Sequence, residues 1–290
     1  MRALIIGASG QVGAALLSTL RERGHDTQGT HGAHPAPGLV PLDLNDHDAV
    51  EHMIAEVTPD WIFCPAGLSH VDYCEEHPEE ALALNHDGPR VAARAAGKAG
   101  AGFVFYSSDY VFNGVGGPFG EDDPPRPLSI YGRSKWEGER AVLIACRRAI
   151  VIRTSVVYGS ERQEKNFVYQ LIRAFRENRP YRPAVDQRVS PSYNPDVAAA
   201  SVELAERDLL GLWHVAGPET LDRYAFALLV CREFGLDSSR LAPVKTAELK
   251  QAAPRPLNGG LRVGKAQVAL RTPLRPPAEG LAEMHRRLGG

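Results

Sequence analysis

The stretch MRALIIGASGQVGAALLSTLRERGHDTQGTH, residues 1–31, decides the fold. It passes from an apolar run, Arg2–Ile6, through the glycine-rich GASGQVG of residues 7–13. A segment with Val12, Leu16, Leu17 and Leu20 on one helical face follows, and then a second extended run, Asp26–Thr30. A strand, a tight glycine turn and a helix in that order open a βαβ unit. Gly7 allows the sharp reversal, Gly10 lets backbone approach a pyrophosphate, and Gly13 lets the helix lie close to the strand. The partial positive charge at the helix N-terminus favours the phosphates. The turn therefore predicts a dinucleotide site at Gly7, Ser9, Gly10, Gln11, Val12 and Gly13.

Further along, short β-branched runs keep alternating with helical segments, the pattern of a parallel sheet covered by helices. Leu39–Leu42, Trp61–Cys64, Phe103–Ser107 and Ala149–Thr154 read as strands, and Gln11–Arg23 and Pro89–Ala99 as crossover helices. The fold class is α/β: a Rossmann-type doubly wound parallel sheet over residues 1–160, with a smaller C-terminal α+β lobe over 161–290 for the substrate. A strand and helix from about 190–216 are expected to return to the first unit. In the second lobe the sequence predicts helices near Asn166–Glu177, from about Pro195, and over Leu221–Phe234 with Thr220 as N-cap. A strand is predicted at Leu212–Ala216, and a helix at the C-terminus.

Charge narrows the partners. The 33 basic and 35 acidic residues nearly cancel, so no long-range field draws the chain to nucleic acid or to an anionic membrane. No apolar run approaches the roughly 20 residues needed to span a bilayer, and the apolar start is too short and glycine-broken for a signal peptide. The expectation is a soluble, cytoplasmic protein that binds neither nucleic acid nor membrane. Cys64, Cys74, Cys146 and Cys231 lack paired or metal-type spacing and read as reduced thiols. Cys74 with His77 would be half a metal site without a second half, so an ordinary surface turn is expected there and no metal.

Where NAD-preferring sites carry an acid at the end of the second strand, this chain has Thr30 and His31, and Asp26 lies too early. A 2′-phosphate would meet no repulsion and would find donors in Thr30 or a charged His31. NADPH is the expected cofactor, with NADH the alternative, since no arginine stands at the strand end. Asp43 and Leu44 follow the third strand, where they could contact the adenine; Asp43 could equally cap the next helix.

Tyr131 and Lys135 have the spacing that places both on one helix face about a turn apart. An ammonium beside a phenol lowers the phenol's pKa, so Tyr131 could exchange a proton with a substrate oxygen, while Lys135 could also bind the nicotinamide ribose. The pair follows the strand ending Phe105–Tyr106–Ser107–Ser108, at the carboxyl edge where doubly wound folds bind ligands. Ser108 completes the constellation as the hydroxyl that would hold a carbonyl oxygen.

SSDYVFNG (107–114), YGRSKWEGE (131–139) and RTSVVYG (153–159) resemble the dTDP-4-dehydrorhamnose reductase family, among the extended short-chain dehydrogenase/reductases. The likeness continues through CPAGLSHVDYCEEHPEEALALN (64–85), NF (166–167), DQRVSPSY (186–193), GLWHVAG (211–217) and RPLNGGL (255–261). It implies NAD(P)H-dependent reduction of the 4-keto group of a deoxysugar on a nucleoside diphosphate, dTDP-linked by preference. It further implies Ser108, Tyr131 and Lys135 as catalytic residues, with Ala66, Gly67 and Ser69 beside Asp43 and Leu44 as cofactor contacts. Asp109, Tyr110 and Val156 would border the sugar, and Asn166 with the Asp186–Arg188 segment, Gln187 included, would face the nucleotide. Arg188 is the cation expected at the diphosphate, against the plainer readings of Asn166 as a helix cap and Arg188 as a solvated charge. A homodimer is compatible with the sequence.

Departures from the family pattern bear on the substrate. Val156 stands where tryptophan is common, Cys64 replaces an asparagine, and Gly259 takes the place of a serine. Two other function classes fit the same fold. The chain is similar to the regulatory β subunit of methionine adenosyltransferase, a binding module that would not need the intact Ser108, Tyr131 and Lys135. A sugar-nucleotide epimerase or dehydratase would retain NAD, and such enzymes usually show an acid at the second strand and a more glycine-dense opening.

Overall fold

In the computed structural model, which describes residues 1–289, seven parallel strands form one sheet. They are β1 (Arg2–Ile5), β2 (Asp26–His31), β3 (Val40–Pro41), β4 (Trp61–Cys64), β5 (Gly102–Ser108), β6 (Ala149–Thr154) and, much later, β10 (Gly211–His214). Their order is β3-β2-β1-β4-β5-β6-β10, so the winding reverses between β1 and β4 and opens a crevice above their carboxyl ends. The predicted strand β3 shrinks to two residues at the exposed edge, where Pro41 has no N–H to extend the ladder.

Side chains alternate across the sheet, and both faces are apolar because helices cover both. On one face, Ala3, Ile5, Phe63, Val104 and Ile152 meet Leu16 and Leu20 of α1 (Gln11–Glu22) and Val197, Ala198 and Val202 of α8 (Asn194–Glu206). On the other, Leu4, Ile6, Ile62, Phe103 and Val151 meet α2 (His47–Val57), α5 (Gly88–Lys98) and α6 (Ile130–Ala145). The alanines of α5, Ala92, Ala93 and Ala96, are fully buried and bring that helix close. Two short helices, α3 (Val71–Glu76) and α4 (Pro78–Leu82), run through a single π turn, Ala83–Asp87, into α5. Cys74 is fully buried on α3, so the surface turn expected at Cys74–His77 is not what forms.

The remaining chain builds a second apolar cluster. β7 (Val157–Tyr158) pairs in parallel with β9 (Ser192–Tyr193), and β8 (Arg188–Val189) pairs antiparallel with β11 (Leu221–Asp222). Around them α7 (Phe167–Arg176), α9 (Arg223–Glu233) and α11 (Pro277–Arg287) bury Tyr158, Phe167, Phe226, Leu281 and Met284, while α10 (Gly264–Ala269) lies beside β10. Thr220 does not cap α9 as the sequence suggested. Leu221 and Asp222 are held extended by pairing with Val189 and Arg188, so the helix starts at Arg223 and Asp222 accepts the capping bond from the Ala225 N–H.

One charged pair ties β6 to α6 within the core. Arg153 on β6 donates to both carboxylate oxygens of Glu139 on α6 at 2.8 and 2.6 Å, and both side chains are nearly inaccessible. Among the described residues no helix is long and apolar enough to cross a membrane.

Candidate active site

Ser108, Tyr131 and Lys135 come from the end of β5 and the first turns of α6, and all three are buried. The start of α6 is fixed twice: Ser129 accepts from the Gly132 N–H at 3.2 Å, and Glu75 accepts from the Ile130 N–H at 2.9 Å. Tyr131 packs with Cys74 and Ala81 against Leu68, Val71 and Tyr110. Burial raises its phenol pKa, a hydrogen bond with Ser108 partly opposes this, and the nearby Asp109 charge adds to the rise.

The expectation that Lys135 lowers the Tyr131 pKa is not met. The ammonium turns back to donate to the Tyr106 carbonyl at 3.0 Å and lies 5.0 Å from the Phe105 ring centre, while burial draws it down to about 8. Tyr131 is therefore held as a protonated phenol, the state of a proton donor.

Behind the triad runs a hydrogen-bonded chain. Ser108 Oγ donates to Asp109 Oδ1 at 2.9 Å and accepts from the Tyr110 N–H at 3.3 Å, and Ser155 Oγ donates to Asp109 Oδ2 at 2.9 Å. Asp109 is only 2% exposed, and burial raises it to about 6. With both oxygens taken by serines, it orients Ser108 rather than lining an open sugar site. Gly259 abuts it: a Cβ there would stand 2.7 Å from Asp109 Oδ2, so the serine usual in the family would press on this carboxylate.

The phosphate turn fits a dinucleotide. A Cβ on Gly13 would fall 2.1 Å from the Gly7 carbonyl oxygen, so close packing by itself demands glycine there. On Gly10 it would meet only Gly7 O at 3.5 Å, an ordinary contact; the protein leaves that space open above a helix whose N-cap makes no side-chain bond. Ser9, Gln11 and Val12 are partly exposed around it, and Ala66 bonds to the Ile6 carbonyl across the crevice. Gly67 leads toward the triad: a Cβ on it would meet Asn85 Oδ1 at 2.6 Å and Lys135 Nζ at 2.9 Å. Ser69, farther along that loop, is exposed. Thr30, however, is fully buried and accepts from the Gly7 N–H, so it offers no surface to a 2′-phosphate; His31 at the strand end is partly exposed. Leu44 is buried in the core, and Asp43 is exposed and bonds to the Asn45 N–H, the cap of α2 being Asp46.

Other expected contacts divide. Tyr110 packs edge-on against Tyr131, ring centres 5.4 Å apart. Val156, a β-branched residue at φ 38°, holds a left-handed backbone just past β6. Asn166 spends its amide on the protein, capping α7 and donating to the Gly159 carbonyl. Asp186 accepts from Thr246, and Arg188 is exposed and donates to the Thr220 carbonyl. Gln187 is buried and accepts from Arg223 at 2.7 Å.

The family matched over residues 1–289 is described as the RmlD substrate binding domain. The chain belongs to the RmlD family. Its RmlD-type fold is shared with the dTDP-4-dehydrorhamnose reductase of Bacillus anthracis in complex with NADP, at a TM-score of 0.91 and 28% identity over 99% of both chains. The methionine adenosyltransferase 2 subunit beta of Xenopus tropicalis is 35% identical over 94% of this chain and 85% of its own length. The spore coat polysaccharide biosynthesis protein SpsK of Bacillus subtilis is 33% identical over 88% of this chain and 87% of its own.

Two further residues of this RmlD-family site have no role assigned by the sequence reading. Asn85, fully buried in the π turn, accepts from the Leu68 N–H and donates to the Leu68 carbonyl and Ser134, tying the loop after β4 to α6. Asn85 closes the family-like stretch 64–85, in which it is one polar residue among many. Arg223, at the start of α9, acts on Tyr110 and Asp109 from a segment with no motif at all. A surface cleft of about 400 Å³ lined by Met1, His25, Asp60, Trp61 and Arg148 lies at the amino ends of the strands, opposite the triad.

Proposed function

We propose that the protein is an NAD(P)H-dependent reductase of the 4-keto group of a nucleoside-diphosphate deoxysugar, dTDP-linked by preference, with NADPH favoured over NADH. The observation that carries this reading is the buried, protonated Tyr131 beside Ser108 at the carboxyl edge of the sheet, next to the phosphate turn. The NADP named for the Bacillus anthracis relative and the polysaccharide pathway named for SpsK support it.

A bound reduced nicotinamide would supply hydride to the keto carbon. Gly7, Gly10 and the first turn of α1 would hold its phosphates, and Lys135 its ribose. Tyr131 gives its phenolic proton to the carbonyl oxygen as that oxygen gains charge, and Ser108 would hold the same oxygen once its hydroxyl proton turns from Asp109 Oδ1 to the substrate. Burial of Tyr131 and Lys135 keeps bulk water from competing for the proton. Residues 1–160 would serve the cofactor and 161–290 chiefly the sugar nucleotide.

A regulatory, non-catalytic reading is favoured by the 35% identity to the methionine adenosyltransferase subunit. One experiment separates the two: loss of absorbance at the reduced-nicotinamide band on mixing the protein with NADPH or NADH and a panel of nucleoside-diphosphate 4-keto-6-deoxysugars. Sugar-dependent oxidation is expected. Tight NADPH binding without oxidation by any sugar overturns the reductase and leaves the regulatory reading.

A further inference from the structure

The cation expected at the substrate's diphosphate was Arg188, yet its side chain is exposed and donates to the Thr220 carbonyl. A different arginine points to the site. Arg223 donates through Nε to Gln187 Oε1 at 2.7 Å, and its backbone N–H bonds to the Gln187 carbonyl at 3.0 Å. Its guanidinium lies 5.8 Å from the Phe167 ring centre. The Nε bond to Gln187 and the Phe167 ring hold the guanidinium, and its positive charge favours the ionised forms of Tyr110, through a hydrogen bond as well, and of Asp109.

Arg223 bonds to no carboxylate among the described residues. Arg255, 6.0 Å from the Tyr110 ring centre, is by contrast already paired with Asp72 at 2.9 Å. Gln187 adds a second unfilled donor: its Nε2 is buried with no hydrogen-bond partner although the residue is only 4% exposed. A buried amide N–H without an acceptor costs about 1–3 kcal/mol. A free guanidinium beside an unfilled amide donor is a recognition set for an anionic oxygen. Tyr110 stands between this set and Tyr131, so a ligand anchored at Arg223 can present an adjoining ring to the phenol.

We propose that Arg223, oriented by Gln187, is the anion anchor of the substrate site and takes the diphosphate of a nucleoside-diphosphate ligand, with Arg188 outside the site. This rests on the reading above only in taking a sugar nucleotide as the ligand. The guanidinium supplies the charge and the paired donors. Gln187 keeps its plane aimed inward and gives its own N–H to the same oxygens.

The test is calorimetric titration of the NADP-saturated protein with bare dTDP and UDP. Arg223→Met should weaken binding ten- to a hundredfold and Arg223→Lys less, with NADPH affinity unchanged as the control for folding. Arg188→Met should alter binding by less than twofold. The proposal is overturned if the wild-type protein binds neither nucleotide, if Arg223→Met binds as wild type, or if Arg188→Met loses as much. It is also overturned if Arg223 matters only for a uronate-bearing nucleotide, because the anion recognised is then a sugar carboxylate. Diphosphate binding through Arg223 without reduction of any keto-sugar upholds the anchor and refutes the reductase. Reduction of a sugar with a KM insensitive to Arg223→Met does the reverse.

Discussion

Asp109→Asn should stabilise the folded protein at alkaline pH and leave it nearly unchanged in acid. Burial raises the Asp109 carboxyl from 3.8 to about 6, against the opposing bonds from Ser108 and Ser155 and the charge of Arg223. Its folded pKa thus lies above its unfolded one, and below pH 3.8 the proton is bound in both states, so there is no penalty. As the pH climbs through about 6 the folded state must carry a buried anion, and its stability falls relative to the unfolded chain. At about 1.4 kcal/mol for each tenfold difference in acidity, the full penalty is about 3 kcal/mol. The amide has the same shape and never titrates. The stability of the variant minus that of the wild type should therefore rise by about 2.5 kcal/mol between pH 4 and pH 8, the remainder of the penalty already being present at pH 4. Asp196, also raised to about 6, and Glu203, lowered to about 2, titrate in both proteins and cancel in the difference. Urea denaturation followed by far-UV circular dichroism at pH 4, 6 and 8 measures it. A difference that stays flat with pH, or runs the other way, refutes the account of Asp109 as a carboxyl strained by burial.

Three further outcomes are expected. Tyr131→Phe should cut sugar-dependent NADPH oxidation by about 10²–10⁴-fold while fluorescence-measured NADPH affinity holds; a parallel loss of both would assign Tyr131 to binding. Gly13→Ala, whose Cβ falls 2.1 Å from Gly7 O, should cost about 1–3 kcal/mol of stability. Gly10→Ala should leave the melting temperature in place and weaken NADPH, so equal melting temperatures for the two variants would contradict the geometry of the turn. Arg153→Met strands Glu139 in the core and should cost about 3–5 kcal/mol; adding Glu139→Leu should recover most of it in chemical denaturation, and a double variant no better than the single would show that the pair does more than balance charge.

Much of this protein is legible along the chain because the deciding interactions are local. The turn at 7–13 is a local conformation, the strands Trp61–Cys64 and Ala149–Thr154 are short runs of fixed apolar character, and Tyr131 and Lys135 need only one helix to be neighbours. Where long-range pairing intervened, local reading failed: Thr220 looks like a cap until β8 draws Leu221 and Asp222 into a ladder. The acidity of Tyr131 followed the same rule. Helix spacing places Lys135 beside it, but the Tyr106 carbonyl on β5 takes the ammonium's bond and the surrounding apolar groups set the phenol.

What the sequence by itself determined is the doubly wound sheet, the strand–glycine turn–helix at its start and the placing of Tyr131 and Lys135 on one helix, all consequences of hydrophobic period and residue spacing. Tertiary structure alone decided that Thr30 is sealed beneath Gly7, that Asp109 stands behind Ser108 rather than open to the sugar, and that Arg223 rather than Arg188 turns toward Tyr110. Each of these depends on which distant groups bury or bond a polar side chain. Desolvation and partnering are properties of the packed interior, with no periodicity to announce them in the chain.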